Sequence, residues 1–156
     1  MTKEFYSDED ILRALTDTRT IAMIGASPDP ARPSHGVMRY LQQAGYRVIP
    51  VNPTALGRDI LGERVFAKLA EIPHAFEMIN VFRRSVEVRG IVEELTPLAG
   101  EHGIRYLWLQ LRICDEESAA RARNAGVEVI MDRCLKTEHR RLIGRTRPAP
   151  AGFPEA

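Results

Sequence analysis

The chain has 156 residues, of which 44% are hydrophobic and 28% are charged, a balance that fits one globular domain and excludes a largely disordered or fibrous chain. Its 22 basic and 21 acidic residues leave a net charge of +1 with the four histidines neutral, so no global charge excess favours nucleic acid or an anionic membrane as a partner. Two cysteines make no disulfide framework. The polar start of the chain, and the lack of an apolar run of about 20 residues, predict a cytoplasmic protein without a membrane span.

Two hydrophobic periods alternate along the chain. Short, nearly continuous apolar runs predict strands that are buried on both faces. These strands are expected at residues 20–25, 46–51, 78–82, 106–111 and 127–131. Apolar residues at helical spacing, with capping residues before them and glycines after them, predict helices around and between the strands. These helices are expected at residues 7–15, 34–44, 65–70, 85–101, 115–124 and 136–143.

Strands that alternate with helices are typical of a parallel sheet with right-handed crossovers and helices on both faces. The five strands fit a doubly wound α/β fold with strand order 3-2-1-4-5, formed by residues 1–143. The proline- and glycine-rich segment 144–156 is predicted to be a flexible tail outside this domain. Ligands of such sheets bind beyond the carboxyl ends of the strands, where the winding reverses. With the predicted order the reversal lies between the first and fourth strands, so the loops after Ala26 and Leu111 are the expected site.

The loop after the first strand, residues 25–36, has the composition of an anion-binding turn. Gly25 allows the backbone to turn tightly and to approach a ligand without a Cβ in the way. Ser34 is expected to cap the following helix, whose free N–H groups and positive dipole favour phosphate, and Arg32 offers a guanidinium fork for phosphate oxygens. The loop has too few glycines for a dinucleotide fingerprint and lacks the Lys-Ser/Thr pair of a P-loop. A proline-rich turn with a solvated arginine is therefore the open alternative.

The end of the second strand bears on the kind of nucleotide. Dinucleotide-binding folds usually place an acidic residue there to hold the ribose hydroxyls. This chain has Asn52 and Pro53 at that place and no carboxylate before Asp59, which weighs against a function that depends on NAD. Arg58, in the same loop, is either a second phosphate contact or an ordinary surface residue.

The third strand ends in Phe82, Arg83 and Arg84. Phe82 is placed either to lie against a purine or to pack in the core. Because adjacent side chains of a strand point to opposite sides, at most one of the two arginines is expected to serve a site at this edge.

Taken in order, these segments resemble the stand-alone CoA-binding proteins, whose fold is also the CoA-binding domain of succinyl-CoA synthetase. The resemblance runs from about Asp10 to Leu142. It rests on the segments IGAS at 24–27, RPSH at 32–35, GYRVIPVNP at 45–53, VFR at 81–83, WLQ at 108–110 and MDRC at 131–134. The resemblance implies a Rossmann-like fold and binding of coenzyme A or an acyl-CoA thioester. Family proteins usually continue Trp-x-Gln-x-Gly, and this chain has Arg112 in place of that glycine.

Carried onto this chain, the resemblance implies that the loop after the first strand and the start of the following helix hold phosphates. It also implies that the ends of the second and third strands border the nucleotide and that segment 108–110 lies at the crevice, and it favours Arg83 over Arg84. The candidate binding residues are Gly25, Ala26, Ser27, Arg32, Ser34, His35, Asn52, Pro53, Arg58, Phe82, Arg83 and Gln110.

Candidates for catalysis are few. Cys134 and His139 are spaced to form a thiolate–imidazole pair across a strand-to-helix turn, but no third residue is evident to orient the histidine, and a buried cysteine beside a helical histidine is the commoner arrangement. The cysteines and histidines show no metal-ligand spacing. Three functions are left open: a module that binds coenzyme A or an acyl-CoA without evident catalytic machinery, a small NAD(P)-binding oxidoreductase, and a regulatory protein whose ligand switches a partner surface.

Overall fold

The computed structural model describes residues 6–144, so the tail expected at 144–156 lies almost entirely outside the described residues. The strands are β1 (Thr20–Ile24), β2 (Arg47–Val51), β3 (Asp59–Ile60), β4 (Glu63–Arg64), β5 (Met78–Val81), β6 (Tyr106–Leu109) and β7 (Glu128–Ile130). The helices are α1 (Asp8–Asp17), α2 (Pro33–Gln43), α3 (Val88–Leu95), α4 (Ala99–His102), α5 (Glu116–Asn124) and α6 (Leu135–Leu142). Single 3-10 turns lie at Pro53–Ala55, Leu69–Glu71, Ser85–Glu87 and Thr96–Leu98.

Five of the strands form one parallel sheet with the spatial order β2-β1-β5-β6-β7. This confirms the predicted α/β fold with its five-stranded parallel sheet and helices on both faces. One placement within the sheet differs from the predicted order 3-2-1-4-5. The third long strand of the chain, β5, lies between β1 and β6, and not outside β2. The antiparallel pair β3–β4 stands apart from this sheet.

The outer side of β2 is closed by a short segment of the chain that follows it. Phe66 N–H donates to the Pro50 carbonyl at 3.0 Å, and Phe66 O accepts from Asn52 N–H at 2.9 Å. Proline has no N–H for a sheet ladder and is therefore confined to edge positions of a sheet. Pro50 is thus the sequence feature that indicates that β2 is an edge strand. Because β2 is the edge of the sheet, β5 cannot lie outside it and instead pairs with the other side of β1.

Alternate residues along the strands fill two separate cores. In β1, Ala22 packs with α3, α4 and α5 on one face, whereas Ile21 and Met23 pack with α1, α2 and α6 on the other. Trp108 is fully buried in the second core, and its Nε1–H donates to Arg133 O at 2.8 Å.

Two predicted helices are shorter than expected. The segment 85–101 is divided into a 3-10 turn, α3, a second 3-10 turn and α4. Pro97 lies in the second 3-10 turn, where its missing N–H interrupts the helical ladder. The helix expected at 65–70 is replaced by the Phe66 bridge to β2 and the 3-10 turn Leu69–Glu71.

Gly25 joins the ends of three strands. Its backbone is left-handed, with φ of 85°, and its N–H donates to Val51 O at 2.9 Å, which ties the end of β1 to the end of β2. A Cβ at this position would stand 3.0 Å from the carbonyl carbon of Phe82 and closer still to its oxygen. Glycine is therefore required for the chain after β1 to pass so near the chain after β5.

Gly25→Ala is expected to lower the free energy of unfolding by at least about 1–2 kcal/mol, the cost of a left-handed backbone for a residue with a Cβ, with the clash at Phe82 adding to it. Gly36→Ala is the matched control, because a Cβ there meets nothing within 4 Å and alanine is favoured inside α2 by up to about 1 kcal/mol. Urea unfolding measures both changes. A Gly25→Ala protein as stable as the wild type would contradict the close approach of the two loops.

Candidate functional site

The winding of the sheet reverses between β1 and β5. The chain leaves β1 for α2 on one face and leaves β5 for α3 on the other, so the two loops part at the carboxyl edge of the sheet. The part of this edge formed by residues 25–32 and 82–87, where ligands of such sheets bind, is termed the β1/β5 crevice. The reversal was expected between the first and fourth strands of the sheet in chain order, and it lies between the first and third, β1 and β5. The loop after Ala26 borders the crevice as predicted, whereas the loop after Leu111 lies one strand further along.

Side chains of the loop after β1 hold it in tight turns. Ser27 Oγ accepts a hydrogen bond from Asp29 N–H at 3.1 Å, and Asp29 Oδ1 accepts from Ala31 N–H at 2.9 Å. The Asp29 carbonyl accepts from Arg32 N–H at 3.0 Å. Asp29, which was not among the predicted residues, therefore determines the shape of this loop and the place where α2 begins.

Asn52 connects the loops after β1 and β2. Its Nδ2 donates to Ala26 O at 2.8 Å, and its Oδ1 accepts from Thr54 N–H at 2.9 Å and from Thr54 Oγ1 at 2.7 Å. Both ends of the amide are used within the protein, so Asn52 positions Ala26 and the 3-10 turn that Pro53 begins. A direct contact of Asn52 or Pro53 with a ligand stays a prediction.

Helix α2 begins at Pro33 with Arg32 as its N-cap. The prediction that Ser34 caps this helix is wrong, because Ser34 lies inside the first turn, where it is buried together with His35. Proline suits the first helical position because it has no N–H to satisfy. Arg32 makes no side-chain cap, and the first turn of α2 holds no acidic residue, so the positive end of the helix is not neutralised by its own side chains.

The three candidate cations differ in their partners. Arg32 and Arg58 are exposed, and no carboxylate among residues 6–144 forms an ion pair with either. Arg83 Nε and Nη2 both donate to Glu87 Oε1, at 3.1 and 2.7 Å. The Arg83 guanidinium lowers the pKa of the Glu87 carboxyl in spite of partial desolvation, so Glu87 is ionised at neutral pH. Two cations are thus open to a ligand, and the third has an internal partner.

A buried polar cluster on β5 and the segment after β6 lies beneath the carboxyl edge. Gln110 Oε1 accepts from Asn80 Nδ2 at 3.1 Å and from Leu135 N–H at 3.0 Å, so this oxygen is already used inside the protein. Asn80 Oδ1 is fully buried and has no hydrogen-bond partner among the described residues. Asn80 was not among the predicted site residues. An asparagine inside an otherwise apolar strand was the available signal.

Cys134 and His139 have separate partners. Burial raises the pKa of the Cys134 thiol, but hydrogen bonds from the side chain and backbone of Thr137 and from the side chain of Gln110 outweigh burial and lower that pKa. His139 Nδ1 lies 2.8 Å from Tyr40 Oη. The His139 imidazole therefore contacts the Tyr40 hydroxyl, whereas the Cys134 thiol is hydrogen-bonded by Thr137 in the first turn of α6.

Arg112 occupies the position where family proteins usually have glycine. Its φ is 67°, in the left-handed region that glycine adopts without strain, and its N–H donates to Asp132 Oδ1 at 2.7 Å. The backbone shape of this turn explains why glycine is usual there. The Arg112 side chain is exposed, so it adds a cation to the loop after β6.

Other regions offer less to an anionic ligand. Among residues 6–144, no group of three or more His, Cys, Asp and Glu side chains is arranged to hold a metal ion, and no helix is long and apolar enough to cross a bilayer.

An open depression of about 590 Å³ lies between α1 and β7. Arg13 in this depression pairs with Glu128 at 3.0 Å and with Asp10 at 3.3 Å, so its charge is already neutralised.

Gln110→Met is expected to lower the free energy of unfolding by about 2–4 kcal/mol. An unsatisfied buried donor costs roughly 1–3 kcal/mol; Leu135 N–H would bear this cost in full, whereas Asn80 Nδ2 would bear only part of it because it keeps the Trp108 carbonyl at 3.4 Å. Gln43→Met, on the exposed side of α2, is the control and should change stability by less than about 0.5 kcal/mol. Urea unfolding of the two variants measures both changes in the free energy of unfolding. Equal losses in both would show that the buried cluster contributes nothing.

Comparison with known proteins places the chain in a family. Residues 19–140 match the family described as "CoA binding domain". The chain is 37% identical over 133 residues to "Uncharacterized protein YneT" of Bacillus subtilis (strain 168), which covers 85% of this chain and 94% of that protein. A solved structure from Thermus thermophilus, "cell-free ID.343", is 36% identical with a TM-score of 0.82 and covers 88% of this chain and 100% of its own.

The same fold also forms part of a longer protein. The apo form of an acetyl-coenzyme A synthetase 1 from Ca. Korarchaeum cryptofilum has a TM-score of 0.61 and 24% identity, over 76% of this chain and 27% of that one, which shows a shared fold alone. The family match and the relatives above 30% identity confirm the resemblance carried by the motifs. The chain belongs to the CoA binding domain family.

Proposed function

We propose that this chain binds coenzyme A, free or as an acyl-CoA thioester, in the β1/β5 crevice. Membership of the family assigns a CoA-binding role in general. The observation that carries the proposed location is the N-terminus of α2, whose first turn holds no acidic residue and whose N-cap, Arg32, has no ion partner among the described residues. In a chain with a net charge of +1, such a local excess of positive charge is what an anionic ligand requires.

The phosphates of coenzyme A suit the open cations of this edge. Coenzyme A carries a diphosphate and a 3′-phosphate, and a charge-assisted hydrogen bond to such a group contributes about 1.5–3 kcal/mol when well formed. Arg32 and Arg58 are the proposed side-chain donors. Gly25, Ala26 and Ser27 are the proposed places where the backbone approaches the ligand.

The remainder of the crevice also fits a nucleotide with N–H donors. Phe82 is half-buried and Arg83 follows it at the border of the crevice, opposite the loop that Asn52 and Pro53 form after β2. Asn80 Oδ1 is a fully buried acceptor that has no hydrogen-bond partner among residues 6–144, and coenzyme A carries amide and amino N–H groups. Ser34, His35 and Gln110 are buried, and we propose that they support the site from beneath.

One observation favours a second function, a partner surface that a ligand switches. Large apolar side chains are exposed on three loops of the carboxyl edge: Leu56 at 55%, Val86 at 77% and Leu111 at 59%. Apolar side chains that form one exposed patch are typical of interaction surfaces, and we propose that these three do so beside the crevice, where a bound ligand would alter them. The NAD(P)-dependent alternative has less support, because Asn52 stands where a ribose-binding carboxylate is usual.

Isothermal titration calorimetry with coenzyme A tests the proposed function. The wild type is expected to bind coenzyme A more tightly than NADPH, and Arg32→Ala should raise the Kd for coenzyme A about tenfold to a hundredfold, since it removes one charge-assisted bond. Arg39→Ala removes an exposed arginine of the same helix, more than one turn from Arg32, and should leave the Kd unchanged.

Two results would count against this account. An unchanged Kd in Arg32→Ala would remove Arg32 from the site. Heat of binding with NADPH but none with millimolar coenzyme A would overturn the ligand itself and favour the oxidoreductase.

A further inference from the structure

Glu87 holds two arginines beside the β1/β5 crevice. Its Oε1 accepts from Arg83 Nε at 3.1 Å and from Arg83 Nη2 at 2.7 Å, and its Oε2 lies 3.5 Å from Arg84 Nε. Glu87 N–H donates to Arg84 O at 2.9 Å within the 3-10 turn Ser85–Glu87. The carboxylate is thus fixed by the backbone next to the arginine that borders the crevice.

Glu87 occupies the edge of the guanidinium that a phosphate would use. A guanidinium offers two oxygens of a carboxylate or a phosphate either the pair Nε and Nη2 or the pair Nη1 and Nη2. In Arg83, Nε and Nη2 both donate to Glu87, so the first pair is occupied. The second pair also includes Nη2, so it is only partly available. A phosphate bound to Arg83 therefore either displaces Glu87 or lies next to its negative charge.

The position of Arg83 does not depend on Glu87 alone. A Cβ on Gly25 would lie 3.1 Å from Arg83 Cδ, so the aliphatic part of the arginine packs against the backbone at this turn. Phe82 N–H donates to Ile24 O at 2.8 Å, which anchors the start of the same loop. Removing the charge of Glu87 would free the guanidinium while its aliphatic part stays at the crevice.

We propose that Glu87 competes with a ligand phosphate for Arg83 and so limits the affinity for coenzyme A. This inference rests on the proposed function and adds to it an acidic residue that opposes binding. When a phosphate reaches Arg83, the ion pair opens or is shared, and the repulsion between carboxylate and phosphate offsets part of the attraction.

Glu87→Gln and Glu93→Gln form a matched pair of variants. Each removes one carboxylate that pairs with an arginine four residues earlier, but the Glu93 pair with Arg89, at 3.6 Å, is more exposed and lies further along α3. Calorimetry with coenzyme A at fixed pH and salt should show Glu87→Gln binding about tenfold more tightly than the wild type, which is about 1.4 kcal/mol. Glu93→Gln should stay within about twofold of the wild type, because surface charges at a distance are screened.

A third variant connects the effect to Arg83. In an Arg83→Gln background, Glu87→Gln should give a much smaller gain, because the competition for the guanidinium is gone. Binding of coenzyme A by Glu87→Gln no tighter than by the wild type would overturn the proposed competition while leaving the proposed function intact. Failure of the wild type and of every variant to bind coenzyme A would overturn the proposed function, and the competition with it.

Discussion

The close approach of the chain after β1 to the chain after β5 is the constraint on which the site depends. Gly25 makes it possible, because its left-handed backbone and missing Cβ leave room for the carbonyl of Phe82. The bond from Gly25 N–H to Val51 O and the bond from Asn52 to Ala26 bring the end of β2 to the same place. Loops from three neighbouring strands therefore meet at one crevice, although they are far apart in the chain.

The second feature is the unequal pairing of charges in a nearly neutral protein. Many of its arginines are held in ion pairs away from the crevice, as Arg13 is with Glu128 and Arg141 with Glu138. Arg32 and Arg58 lack such partners among the described residues, and both follow the carboxyl ends of strands. A net charge of +1 is thus compatible with a polyanionic ligand, because cations without a carboxylate partner among the described residues are present where the loops converge.

The class of fold could be predicted from the sequence because hydrophobic periodicity is a local property, and the strand positions followed from it. The place of β5 beside β1 depends on long-range pairing, which periodicity does not carry, although Pro50 within β2 indicated an edge strand. At the site, the loop residues followed from the strand ends. The buried place of Ser34 and the pairing of Glu87 with Arg83 could not be predicted, because both depend on contacts between separate elements. The left-handed turn at Arg112 was hidden because the residue that normally signals it, glycine, is absent.

A ligand between the loops after β1 and β5 would change the surroundings of their backbone amides, so amide chemical shifts of isotope-labelled protein titrated with coenzyme A report where the ligand lies. We expect the largest shift changes on residues 25–35, 52–58 and 82–87, with small changes elsewhere. Changes confined to α1 and β7, around the depression beside Arg13, would contradict it.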